Sequence, residues 1–181
     1  MTLAREKKLT ADEFFDLEDD GRSLELVNGE VVEMTDGGGL HGYVGKSVYN
    51  ALDDFVRAHA LGVVPLSGTG FRLAPGTVRK PDAGFVPASQ WIDPPPVKWL
   101  PYAPALAVEI VSPSDRMAEV EAKAQEYLDA GTREVWVVSP FSKTVQVWRA
   151  GGSVLLLKGD DRLESPELLP GFSARVGDFF A

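Results

Sequence analysis

The chain has 181 residues, 44% apolar and 25% charged, with 27 acidic against 18 basic side chains and a net charge of −9. That composition is globular rather than disordered, and the length suits one domain, 1–181, with a sizeable buried core. Cysteine is absent and histidine occurs only at His41 and His59, which excludes disulfides, thiolate catalysis, cysteine-ligated zinc, iron–sulfur clusters and multi-histidine metal sites, while the acidity argues against a broad basic footprint on nucleic acid.

The N-terminal stretch MTLAREKKLTADEFF has no apolar core before a small-residue cleavage site, and no stretch reaches the roughly 18 apolar residues of a membrane span, so the expectation is a cytoplasmic protein without membrane attachment. Thr10 with Glu13 forms a capping box for a short helix that packs Phe14, Phe15 and Leu17. Asp12, Asp16, Glu18, Asp19 and Asp20 make its solvated face, and Gly21 ends it. Ser23–Val27, Asn28-Gly29 and Glu30–Met34 read as a tight hairpin, because a type I′ turn needs φ > 0 at both central residues. Alternation sets Leu24 and Leu26 on one face of its first strand, Glu25 and Val27 on the other. Asp36–Gly39 is a flexible connection to a helix from Leu40 to Ala60, with Val44, Val48, Leu52, Phe55 and Val56 at helical spacing and Gly62 closing it. Strands follow at Val63–Leu66, Gly70–Leu73 and Ala83–Val86, with a Pro75-Gly76 turn before Val78.

Residues 87–104, rich in proline and tryptophan, read as a surface loop or lid. The nearly continuous apolar run 105–111 reads as a central strand buried on both faces. Ser114 or Asp115 caps a helix that runs to about Ala130 and stops at Gly131. Glu134–Val138 is a second buried strand, and Lys143–Arg149 with Ser153–Lys158 form a hairpin turning at Gly151-Gly152. The tail, with Leu168, Leu169, Phe172, Val176, Phe179 and Phe180, packs back onto the domain. Irregular alternation of helices and strands, with a hairpin near each end, predicts an α/β (α+β mixed) fold: a mixed sheet flanked by helices.

Glu109 lies inside the most apolar strand, where an unpaired carboxylate costs several kcal/mol or must neutralise. A salt bridge or a reactive carboxylate would each account for it. Asp82 follows Pro81 at the mouth of a strand, either as a turn aspartate or, with Glu109 on a neighbouring strand, as an oxygen ligand for a hard cation such as Mg2+. On the helix after the Glu109 strand, Lys123 lies about 60° to the side of the apolar stripe, placed to snorkel into solvent or to reach Glu109. His41 opens the long helix as a cap or surface residue, or as a substrate contact. Arg72, Arg79, Lys80 and Arg116 flank the two acids in sequence, as scattered surface cations or as phosphate contacts. Tyr127 reads as a core aromatic with a satisfied hydroxyl. Trp91 and Trp99 suit base stacking, core packing or a subunit interface.

The ordered set Glu25-Leu26-Val27-Asn28-Gly29-Glu30, His41, Pro81-Asp82, Val108 to Asp115, Lys123, Tyr127, Gly131 and Glu134 to Val138 resembles the Uma2 family, bacterial nuclease-like proteins of the PD-(D/E)XK superfamily. The likeness runs from about Thr10 to Arg149. It implies a restriction-endonuclease-like core with its acids gathered at one edge of the sheet. Asp82 matches the motif aspartate, Glu109 the motif acid, and Glu25 an additional acidic ligand ahead of the Asn-Gly turn. The superfamily lysine two residues after the acid is replaced here by Val111, and Lys123 matches the relocated lysine. The implied activity is a Mg2+- or Mn2+-dependent endonuclease cutting nucleic acid, DNA in the first instance. Asp82, Glu109 and Glu25 would be its metal ligands, Asp82, Glu109 and Lys123 its catalytic groups, and His41, Arg79 and Arg116 its substrate contacts. A homodimer is expected. The other hypothesis is a catalytically silent nuclease-like module acting as a dimeric binding or regulatory unit.

Overall fold

Alternating apolar residues in the N-terminal hairpin, and continuous apolar runs further on, sort the strands into separate sheets in the computed structural model, which describes residues 8–17, 21–34 and 37–181. Strands β1 (Leu24–Val27) and β2 (Glu30–Glu33) pair through the Asn28-Gly29 turn, both of whose residues take positive φ (51° and 83°). They join β4 (Phe71–Ala74) and β5 (Thr77–Arg79) in a four-stranded antiparallel sheet of order β2-β1-β5-β4.

The larger sheet is six-stranded and mixed, of order β10-β9-β8-β7-β6-β3, from β3 (Gly62–Val63), β6 (Ala83–Pro87), β7 (Leu106–Ile110), β8 (Glu134–Ser139), β9 (Thr144–Arg149) and β10 (Ser153–Lys158). Its one parallel pair is β7–β8, joined by a helical crossover. The short α1 (Ala11–Phe15) carries the predicted capping box. Alternation along β7 splits the core between the two faces of the sheet. Leu106, Val108 and Ile110 pack with Val44, Val48, Leu52 and Val56 of α2 (Gly39–Ala58) and with the C-terminal tail. Ala107 and Val111 pack with Ala124 and Tyr127 of α3 (Met117–Asp129). Burial on both faces explains why β7 and β8 read as unbroken apolar runs. The α/β (α+β) expectation of a mixed sheet between helices describes this arrangement.

Several boundaries differ for local reasons. The first helix ends at Phe15 instead of Gly21, and Leu17 is exposed rather than packed; Glu18, Asp19, Asp20 and Asp36 lie outside the described residues. Gly62 does not close α2. The chain leaves the helix through His59 and Ala60, the latter at φ 51°, and Gly62 opens β3. β3 holds two residues only, since Pro65 can offer no N–H to a ladder. α3 starts at Met117 because Asp115 spends its carboxylate on the Ser112 N–H (2.7 Å). Its end is a Schellman turn: Thr132 and Gly131 donate to the carbonyls of Tyr127 and Leu128, with Gly131 at φ 103°.

Trp99 is not free for base stacking. It stacks on Phe14 (5.4 Å between ring centroids), meets Phe15 edge-on, and donates its indole N–H to the Ala11 carbonyl (2.8 Å). Trp91 packs against Phe71, Val86 and Leu100. The tail buries Leu168, Leu169, Phe172, Val176 and Phe179 and adds a ladder the sequence did not announce, β11 (Arg162–Glu164) with β12 (Ser173–Arg175), before a 3₁₀ turn at Val176–Phe180. Among the described residues no helix is long and apolar enough to cross a membrane.

Candidate active site

Sheet register gathers the acids. β6 runs antiparallel to β7 with Ala83 opposite Val108, so Asp82, one residue earlier, comes level with the C-terminal end of β7. There its N–H donates to the Val108 carbonyl (3.0 Å), and its Oδ2 accepts the Ile110 N–H (2.7 Å). Glu109 projects to the opposite face from Val108 and Ile110, toward α3. Lys123 Nζ donates to Glu109 Oε2 (2.9 Å) and the Tyr127 hydroxyl donates to Oε1 (2.8 Å). The N-terminal turn of α2 brings His41 Nε2 to 3.5 Å from Asp82 Oδ2. A Cβ on Gly37 would stand 2.3 Å from His41 Nδ1, so a bare glycine lets the imidazole sit there. Asp82, Glu109, Lys123 and His41 line one open cleft of about 710 Å³, whose walls also include Ser67-Gly68 and Val32 and Glu33 of β2.

A second layer lies behind Lys123. Glu25, fully buried on β1, accepts the Lys80 N–H on Oε1 (2.7 Å) and Arg79 Nη1 on Oε2 (2.8 Å), with Lys123 Nζ 3.2 Å from Oε1. Arg79 also binds Glu126 of α3, through Nε at 3.0 Å and through Nη2. Charges thus alternate Glu126–Arg79–Glu25–Lys123–Glu109 across two sheets and a helix.

This layout sets the protonation of each group. Burial raises the Glu109 carboxyl, Lys123 pulls it down, and the charges of Asp82 and Glu25 push it up again, to about 7. For Glu25 burial is outweighed by Lys123, Arg79 and the Lys80 N–H, which hold it below the usual carboxylate range. Lys123 is raised despite its burial, because Glu109 and Glu25 favour the ammonium. His41 is raised chiefly by its hydrogen bond to Asp82. Burial and the facing carboxylates lift the Tyr127 hydroxyl well above its ordinary value, keeping it a donor.

Of the residues singled out in the sequence, Asp82, Glu109, Lys123 and His41 share the cleft. Glu25 stands behind it, and Arg79 reaches its wall with its guanidinium occupied by two glutamates. Arg116 is not brought in: its side chain is 83% exposed and lies 3.9 Å from Glu119 on the surface. Tyr127 is the core aromatic with a satisfied hydroxyl that the sequence suggests, and the structure adds that its partner is Glu109. Glu126 is the member of the constellation that the sequence does not single out. The available signal was its spacing from Lys123, i+3 on one helix. Tyr127→Phe is expected to cost about 1–3 kcal/mol in folding stability, because Glu109 loses the hydroxyl donor to its Oε1; denaturant melts of the two proteins measure it.

Among the described residues no three acidic or histidine side chains are grouped as a preformed metal cage. The donors do fit a magnesium-like ion, which keeps much of its water and takes one or two carboxylates. Asp82 uses Oδ2 for its protein contacts, and a carboxylate offers about four lone-pair sites, so Glu109 retains capacity beside Lys123 and Tyr127. A cation there would also relieve the repulsion that raises Glu109.

A family model, Uma2, described as a putative restriction endonuclease, matches residues 11–177. Among solved structures, the crystal structure of a putative nuclease belonging to DUF820 from Anabaena variabilis ATCC 29413 superposes with a TM-score of 0.84. The two are 19% identical, and the alignment covers 95% of this chain and 97% of that one, a likeness of fold. No curated protein matches the sequence.

Proposed function

The chain belongs to the Uma2 family of putative restriction endonucleases, and from that premise we propose that it hydrolyses nucleic-acid phosphodiester bonds, DNA foremost, with Mg2+ or Mn2+ held by Asp82 and Glu109. The observation that carries this reading is the convergence of Asp82, Glu109 and Lys123 on one cleft, with Lys123 only 2.9 Å from Glu109. A bound divalent cation supplies Lewis-acid charge against the phosphate and makes water acidic enough to attack near neutral pH.

The chain's own groups do the rest. Asp82 is fixed by the Ile110 N–H, so its carboxylate is aimed before any ligand arrives. Lys123 stays protonated between two carboxylates and can orient the attacking water or stabilise negative charge growing on the phosphate. His41, hydrogen-bonded to Asp82, is the substrate contact nearest the two acids, and its raised pKa favours a cationic donor to phosphate oxygen. Neither Arg79 nor Arg116 fills that role: one is paired internally and the other lies outside the cleft. The net charge of −9 predicts weak, salt-sensitive substrate binding that depends on the cation.

A second reading, a binding module without catalysis, is favoured by the contacts to both Glu109 oxygens from Lys123 and Tyr127. Calorimetric titration with Mg2+ and Mn2+ separates the two. The nuclease reading expects carboxylate-dependent binding that Asp82→Ala abolishes; no binding by the unaltered protein would leave the silent module.

A further inference from the structure

Glu25 matches the position of an extra acidic ligand, yet its surroundings are those of a group with another task. It is wholly buried, and it is absent from the residues that line the cleft, although Asp82, Glu109 and Lys123 all line it. Its two oxygens already face three donors: the Lys80 N–H at 2.7 Å, Arg79 Nη1 at 2.8 Å and Lys123 Nζ at 3.2 Å. Two of those donors belong to β5 and its following residue, so Glu25 is held without any help from Glu109.

We propose that Glu25 is a positioning residue that keeps the Lys123 ammonium at the cleft when Glu109 turns its charge to a cation, and that it does not itself ligate that cation. Lys123 has two carboxylate neighbours, and only Glu109 faces the cleft. A cation drawing on Glu109 would weaken the hydrogen bond from Lys123 to Glu109 and leave the ion pair between Lys123 and Glu25, at 3.2 Å, in place. Arg79 braces the arrangement from both ends: it fixes Glu25 on β1 and grips Glu126, one helical turn beyond Lys123 on α3. The ammonium is therefore located by a rigid frame of two strands and a helix.

The inference rests on the nuclease reading for what Lys123 does in cleavage, but its first test needs neither cation nor substrate. In protein carrying 15N-lysine, the Lys123 ammonium should give a solvent-protected NMR signal that survives Glu109→Gln and disappears in Glu25→Gln. A signal that survives Glu25→Gln and is lost in Glu109→Gln would overturn the proposal. If Glu25→Gln alone fails to fold, Glu25→Gln combined with Arg79→Met removes both halves of the ion pair and leaves no lone buried guanidinium. Glu25→Gln should also change Mg2+ affinity less than about threefold while lowering kcat about 10²-fold with KM unchanged. Loss of Mg2+ binding as complete as in Asp82→Asn would make Glu25 a ligand and refute it. Unaltered protein that binds no cation would instead defeat the nuclease reading, and the NMR result would still decide the position of Lys123.

Discussion

Glu109→Gln is expected to lower phosphodiester cleavage at least about 10²–10³-fold while leaving the fold intact, because the amide is isosteric but cannot hold a cation as an anion. The carboxylate accepts Lys123 on one oxygen and Tyr127 on the other, at 2.9 and 2.8 Å; the amide keeps one acceptor, for Lys123, and its NH2 can donate to a rotated Tyr127 hydroxyl. The substitution also removes an ionisable group whose carboxyl is lifted to about 7, first by burial and then by the charges of Asp82 and Glu25, against the pull of Lys123. Circular dichroism of the variant should match the parent, and its stability should be equal or higher at pH 8. The measurement is a cleavage time course on single- and double-stranded DNA and on RNA with Mg2+ or Mn2+. Cleavage that persists in Glu109→Gln at the parent rate would place the chemistry elsewhere.

Lys123→Met is the larger perturbation of the fold. It strips the shared cation from two buried carboxylates, and breaking a buried pair from one side costs about 3–5 kcal/mol. The pH sign follows from Glu109, whose carboxyl is raised in the folded protein to about 7 from an ordinary value of 4.5. A raised acid leaves stability untouched while it is protonated in both states. It then lowers stability as pH climbs from the unfolded value through the folded one. With Lys123 gone, Glu109 loses the neighbour that opposed this rise, so the deficit of Lys123→Met relative to the parent should be greatest at pH 8 and smaller at pH 5. Glu25 runs the other way: its lowered carboxyl contributes stability above the ordinary value, lost as pH falls through the folded one. Its bond to Arg79 preserves part of that contribution in the variant. Denaturant unfolding of both proteins at pH 5 and pH 8 measures the difference. An equal loss at both values would mean that the cost is packing around the lysine stem and not stranded charge.

What the sequence determined by itself is what neighbouring residues decide. The Asn28-Gly29 turn, the capping box at Thr10, the apolar stripe of α2, the stop at Gly131 and the doubly buried β7 follow from backbone sterics and side-chain period, which act over a few residues. The acids were legible for a related reason. A glutamate inside LAVEI and an aspartate after Pro81 are anomalies against their local pattern, and such anomalies single out candidate sites. Lys123 could be placed beside the apolar stripe of α3 by periodicity, though not joined to Glu109.

The tertiary structure decided which charges meet. Glu25 and Arg79 are 54 residues apart in the chain and 2.8 Å apart in space. No local rule announces that β1 and β5 share a sheet whose charged side chains meet those of α3, so neither the Glu25–Arg79 pair nor the reach of the core residue Tyr127 to Glu109 follows from the chain alone. Arg116 shows the converse: close to Glu109 in sequence, its side chain leaves the cleft because the chain turns between Ser112 and α3. Ion pairs depend on how sheets and helices stack, and stacking is set by the summed burial of many distant side chains rather than by any one segment.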